Sequence, residues 1–122
     1  PVTPDAIKVG ALFTKRRYGD IPVIFTENGM AGSDVISLDG KVHDPNRIDF
    51  LHRYLIKLGE ANDQGANVIG YMQWSLLDNF EWSNGYRDRF GLVYVDYPTG
   101  NRIIKDSGYW YRDVIASNGA NL

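Results

Sequence analysis

A chain of 122 residues, 43% hydrophobic and 23% charged, has the length of one small domain or of a part of a larger one, and is too apolar to remain disordered. With a net charge of −2 it offers no basic face to nucleic acid, and no apolar run reaches the ~18–20 residues of a membrane span. The absence of cysteine excludes a disulfide framework and any thiolate metal site.

The first expected element is a helix over about 4–17. Thr3-Pro4 has the form of an N-cap followed by Pro at the first helical position, Lys15, Arg16 and Arg17 suit a last turn, and Gly19 suits a cap. Ile21-Pro22-Val23-Ile24-Phe25-Thr26 is short, apolar and rich in β-branched residues, the pattern of a strand buried on both faces. A polar loop at 29–43 leads to Asp44-Pro45 and a second helix, with Ile48, Leu51, Leu55 and Leu58 on one side and Gly65 at its end. Residues 68–74 form a second buried strand, 76–89 a long aromatic and polar loop, 92–95 a short third strand, and Pro98-Thr99-Gly100 a turn. Asp106-Ser107 opens a last helix carrying Trp110, Tyr111, Val114 and Ile115; Gly108 inside it costs about 1 kcal/mol against Ala. Strands alternating with helices predict parallel βαβ units, yet two main parallel strands neither close a barrel nor make a stable open sheet. The chain therefore reads as an unusual small α/β domain or as a piece of a larger one, and it lacks an initiator Met.

Two biases single out candidate residues. Twelve of the 15 acids are Asp, leaving only Glu27, Glu60 and Glu81, and eleven of the 16 aromatics lie between Tyr71 and Tyr111. Glu27 follows the first strand in Thr26-Glu27-Asn28-Gly29, at the strand end where parallel α/β folds place reactive groups. Glu81 lies in Trp74-Ser75-Leu76-Leu77-Asp78-Asn79-Phe80-Glu81-Trp82, where a carboxylate among indoles suits a polyol: Glu81 accepts hydrogen bonds from neighbouring hydroxyls, the Trp82 ring N–H donates, and Trp74 stacks. The plain alternatives are a surface Glu in a turn and an aromatic core cluster. Glu60 reads as a solvated helix acid. Asp78 and Asn79 read as organisers of the loop backbone, and Arg87 and Arg89 as salt-bridging or loop-anchoring residues. His43 and His52 are nine residues apart without carboxylate or His partners at ligand spacing, so no metal site is expected.

IPVIFTENGM, followed by NVIGYMQWSLLDNFEWSNGYRDRFGLVYVD, resembles the family 1 glycoside hydrolases, and among them the β-glucosidases; the likeness runs through KDSGYWYRDVI. The resemblance implies the C-terminal part of a (β/α)8 TIM barrel, with 21–26 and 68–74 as barrel strands seven and eight and all of 1–122 as a fragment of that single domain. It implies hydrolysis of β-glucosidic bonds with retention, which needs two carboxyl groups about 5 Å apart. By motif match Glu27 is the nucleophile, Glu81 the partner of the glycone 4- and 6-hydroxyls, Trp82 a donor to the glycone, Trp74 a stacking platform, and Phe90 a wall of that pocket. The family's phospho-glycosidases replace this Glu, so unphosphorylated glycosides are expected. The family's Asn-Glu-Pro acid/base motif does not occur here. The expected partners are a small β-glucoside or oligosaccharide and the N-terminal remainder of the barrel, with no cofactor, metal, nucleic acid or membrane. A different class of function, a non-catalytic carbohydrate-binding module built on Trp74, Glu81 and Trp82, leaves the Thr-Glu-Asn-Gly carboxylate without a purpose. Ser83, small and next to Trp82, leaves the pocket entrance open.

Overall fold

The computed structural model describes residues 2–122, which pack as two compact units. The first comprises the residues up to Asn28 and Asp49–Gln73, with Leu122; the second comprises Gly29–Ile48 and Trp74–Asn121.

In the first unit, α1 (Asp5–Tyr18) and most of α2 (Pro45–Asp63) cover a parallel pair formed by β1 (Val23–Asn28) and β2 (Val68–Gln73). Helix α1 starts with Asp5 and finishes with Lys15, Arg16 and Arg17, a charge order matched to its dipole. Its N-cap is Pro4 with no side-chain bond, so Thr3 does not cap it as expected; the Thr3 N–H donates instead to the Tyr54 hydroxyl. Ile7 and Ala11 are four residues apart on the buried face of α1, and α2 buries Phe50, Leu51, Tyr54, Leu58 and Ala61. Small residues at the contact of helix and strand let the layers approach: Ala11, Ala61 and Ala66 form a cluster with Leu12, Phe25 and Val68 packed against it. Helix α2 ends in a paired cap, the Gly65 N–H bonding to the Asn62 carbonyl and the Ala66 N–H to the Ala61 carbonyl. The cap needs a left-handed residue, and Gly65 supplies it at φ 84°.

β1 begins two residues later than the sequence predicts and extends two further. Pro22 has no N–H to give, so pairing starts with the Val23 N–H donating to the Asn67 carbonyl at 2.8 Å. The Asn62 side chain then brackets Val68 with two hydrogen bonds. Neither strand is buried on both faces as expected: Ile24 is 46% exposed, Ile69 61% and Met72 56%. Phe25 and Val68 pack toward the helices, while Ile24 and Ile69, one residue away on the opposite face, stay exposed among the described residues.

The second unit holds the 29–44 loop, a loop over 74–92 with one 3-10 turn (Trp82–Asn84), the antiparallel pair β3 (Val93–Val95) and β4 (Arg102–Ile104), and α3 (Asp106–Ala116). β4 is absent from the expected order; three residues running straight into a helix give no periodicity to read. Asp106 and Ser107 open α3 without capping it: the N-cap is Lys105, which makes no side-chain cap bond. Ser107 is fully buried, and its N–H and hydroxyl both donate to the Asp44 carboxylate, at 2.8 and 2.5 Å. Gly108 has a packing reason, since a Cβ there would lie 2.8 Å from Ile104 Cγ2 and 2.9 Å from the Leu92 carbonyl oxygen.

Candidate functional site

Glu27 lies within β1, next to its last residue, rather than just beyond it. The β1–β2 register runs Phe25 against Tyr71 and then Asn28 against Gln73, so Glu27 falls in a break of the ladder. Such a bulge turns a side chain away from the regular pleat, and bulges of this kind concentrate at reactive sites. The Glu27 side chain is exposed. Beside it, the Tyr71 hydroxyl donates to Asn28 Oδ1 at 2.8 Å and reaches Gln73 Oε1 at 3.5 Å. Sequence reasoning did not select Asn28, Tyr71 and Gln73 as a group; the signal was the parallel pairing of the two strands, which brings their last polar residues side by side.

The other four candidates belong to the second unit and to one loop. The Trp74–Ser75 peptide bond is cis. Directly after it, the Ser75 N–H donates to the Phe90 carbonyl at 3.1 Å and the Leu92 N–H to the Ser75 carbonyl at 2.9 Å. These two bonds close the loop at its neck, with Trp74 and Phe90 flanking the closure. Gly91 is required there: a Cβ would come within 2.3 Å of the Asp78 backbone nitrogen. At the far end a tight turn presents Glu81 and Trp82. The Glu81 N–H donates to the Gly85 carbonyl at 2.7 Å, and the Gly85 N–H returns to the Trp82 carbonyl at 3.1 Å. Trp82 takes φ 42°, a left-handed conformation costing a bulky residue on the order of 1 kcal/mol. Its indole is 80% exposed, and Glu81 is half-buried.

Aromatic contacts run back from this turn. Phe80 meets Trp82 at 6.3 Å and Tyr86 at 5.6 Å between ring centroids, both edge-on, and Tyr86 meets Tyr97 at 4.6 Å. The Arg89 guanidinium lies over Tyr94 at 4.0 Å and over Tyr97 at 4.5 Å. Burial raises the Tyr97 hydroxyl above its ordinary pKa, so it remains a phenol, and it donates to the Asn79 carbonyl at 3.4 Å.

Beneath the turn, Asp78 is buried and collects four donors. Arg89 Nη1 is 2.6 Å away, Lys105 Nζ 2.8 Å, the Gly91 N–H 2.9 Å and the Val95 N–H 3.4 Å. The Asn79 amide donates to the Leu77 carbonyl and to Ser75 Oγ. Asp78, Asn79 and Arg89 therefore organise the loop, as the sequence predicts, and Arg87 pairs with Asp88. Lys105, fully buried, was not foreseen. Its ammonium also reaches Asp34 Oδ2 at 2.5 Å, and Asp34 and Asp44 both hold Arg47.

His43 corrects an expectation. It has two carboxylate partners, Asp106 at 2.6 Å from Nδ1 and Asp39 at 3.1 Å from Nε2. Asp106 is 63 residues away in sequence, so ligand spacing could not reveal it. Among the described residues no group of three His, Cys, Asp or Glu side chains is placed to hold a metal ion. No helix among them is long and apolar enough to cross a membrane. Glu60 is not simply solvated: Lys8 and Lys57 both bond to it and hold its carboxyl below the ordinary value, Lys57 most strongly.

Known proteins share this architecture. The family model for glycosyl hydrolase family 1 matches residues 1–120. Beta-glucosidase A of Thermotoga maritima is 50% identical over 118 residues, which are 97% of this chain and 26% of that protein. Beta-glucosidase 1 of Oryza sativa subsp. japonica is 45% identical over 116 residues, 95% of this chain and 22% of that protein. The structure of the family 1 β-glucosidase from Thermotoga maritima in complex with glucoimidazole superposes with a TM-score of 0.94 at 50% identity, covering 97% of this chain and 27% of that one. The chain spans about a quarter of the length of these relatives. Its fold is that of part of a (β/α)8 barrel.

Proposed function

This chain belongs to glycosyl hydrolase family 1, and from that premise we propose that it is the C-terminal quarter of a retaining β-glucosidase barrel, with β1 and β2 as barrel strands seven and eight. The observation that carries the reading is Glu27: a carboxylate in Thr-Glu-Asn-Gly, in the ladder break at the C-terminal end of a parallel strand. Retention requires this carboxylate to attack the anomeric carbon, forming a glycosyl–enzyme ester while the aglycone oxygen leaves with a proton. Water then hydrolyses the ester and regenerates Glu27. The acid that gives the proton, and as base accepts one from that water, lies outside these 122 residues.

The Glu81–Trp82 turn supplies glycone recognition. The Glu81 carboxylate accepts from the 4- and 6-hydroxyls, the Trp82 ring N–H donates, and Trp74 and Phe90 wall the sugar. A carboxylate aimed at O6 repels a phosphate there, so the substrates are unphosphorylated β-glucosides or oligosaccharides. The glucoimidazole complex of the Thermotoga maritima enzyme, a relative with a sugar-like inhibitor bound, supports a small-glycoside substrate. The remaining three quarters of the barrel supply the acid/base and the other half of the pocket.

Glu27→Gln in the complete enzyme tests the assignment. The substitution keeps the shape and removes the attacking charge, so turnover falls by several orders of magnitude while glucoside binding survives. A kcat near that of the unmutated enzyme excludes Glu27 as nucleophile.

A further inference from the structure

Glu81 and Trp82 ride on a turn whose own backbone bonds are local, from Glu81 to Gly85. What fixes that turn in space lies three residues upstream, at Asp78. The Asp78 carboxylate is saturated by four donors, and two of them are cations from different elements: Arg89 from the same loop and Lys105 from the start of α3. Lys105 also anchors Asp34 in the 29–44 loop, and its own N–H donates to the Leu92 carbonyl at the loop neck, at 3.0 Å. One buried ammonium thus ties two loops to one helix end. The six charges of Asp34, Asp44, Asp78, Arg47, Arg89 and Lys105 balance. Deleting the ammonium leaves three carboxylates facing two guanidiniums in a region closed to water, an imbalance that movement of the loop relieves.

We propose that Lys105 is a positioning residue for sugar recognition, acting through Asp78 to hold the Glu81–Trp82 turn at the distance its hydrogen bonds to the glycone need. The proposal rests on the reading that Glu81 binds the 4- and 6-hydroxyls. A positioning role differs from a merely structural one in its selectivity. Displacing the turn costs the contacts Glu81 makes, and spares a substrate that lacks the hydroxyl concerned.

The test compares kcat/KM for an aryl β-glucoside and the matching 4-deoxy-glucoside in the complete enzyme. Glu81→Ala narrows the preference for the 4-hydroxyl if the reading of Glu81 is right. Lys105→Met, close in size and uncharged, narrows the same preference by about tenfold, the scale of a lost charged hydrogen bond, and changes the deoxy substrate by only about twofold. Added to Glu81→Ala, it narrows the preference no further. If Lys105→Met slows both substrates equally while Glu81→Ala alone shifts the ratio, the positioning role is overturned and the reading of Glu81 stands. If Glu81→Ala leaves the ratio unchanged, that reading fails and takes the proposal with it. Should Lys105→Met not fold, Asp78→Asn keeps an acceptor for the Gly91 N–H, removes the charge, and decides by the same ratio. Loss of folding in both variants makes the cluster structural only and overturns the proposal.

Discussion

At His43 one imidazole lies between two carboxylates. The hydrogen bond to Asp106, then that to Asp39, raises the imidazole above its ordinary pKa of 6.5. Asp39 is lowered, first by the Lys41 N–H it accepts and then by His43, so it stays ionised wherever the imidazole titrates. The pair is exposed, and its contribution is screened by salt. The sign follows from linkage: a group that holds its proton more tightly in the folded state stabilises that state fully below its unfolded pKa, and the gain disappears as pH rises through the folded value. The complete enzyme is therefore expected to lose more thermal stability from pH 6.5 upward than its His43→Gln variant. Melting curves at pH 6 and pH 8.5 check this; an equal loss in both proteins shows that the imidazole carries no such charge. Glu27 and Glu81 stand out in the sequence because Glu is scarce and each sits in a distinctive string. Lys105 does not, and His43 has only Asp39 near it in sequence, four residues before; their other partners are brought to them by the fold. Asp106 is 63 residues from His43, and Asp34 is 71 from Lys105.

The three helices and the two parallel strands were legible from apolar spacing and from Pro and Gly punctuation. Their ends were not. Pro22 delays β1, and Thr3 and Asp106 spend their capping potential elsewhere or not at all. β4 was invisible because a three-residue strand is recognised by its partner, Val93–Val95, not by its own pattern. Gly108 shows how an element can accept a poor local choice. Helix propensity favours Ala there by about 1 kcal/mol. Against this, the added Cβ meets the Leu92 carbonyl oxygen, which already accepts the Lys105 N–H and is not free to move. Overpacking of this kind costs about 1–3 kcal/mol. The clash wins: Gly108→Ala is expected to lower the stability of the complete enzyme by about 1 kcal/mol, read from its denaturation midpoint. A higher midpoint in the variant means that the Leu92 segment yields and propensity dominates.

On the scale of the whole molecule, the decisive feature is the sheet. Among the described residues β1 and β2 each have a single strand neighbour, and Ile24, Ile69 and Met72 are 46%, 61% and 56% exposed. Strands of this composition are at home only where both faces are covered, and a barrel strand has two neighbours. Left uncovered, they present unpaired N–H and C=O groups beside apolar side chains, the combination that drives edge-to-edge aggregation. The 122 residues on their own are therefore expected to aggregate rather than to melt cooperatively. They are also expected to be inert toward glycosides, for a second and independent reason. On the proposed reading, Glu27 as nucleophile would lack a group to protonate the leaving group and to activate water, and proton transfers of that kind contribute roughly 10²–10⁴-fold each. Supplying the rest of the barrel as a separate polypeptide is expected to restore both properties, because it brings both the strands that would flank β1 and β2 and, elsewhere in the barrel, the proposed acid/base. Circular dichroism melting and an aryl-glucoside assay on the purified chain, with and without that polypeptide, measure both. A cooperative melt with sustained turnover by the 122 residues alone contradicts the assignment of the chain to one quarter of a barrel. A cooperative melt without turnover separates the two arguments, leaving the missing acid/base as the sole reason for inactivity.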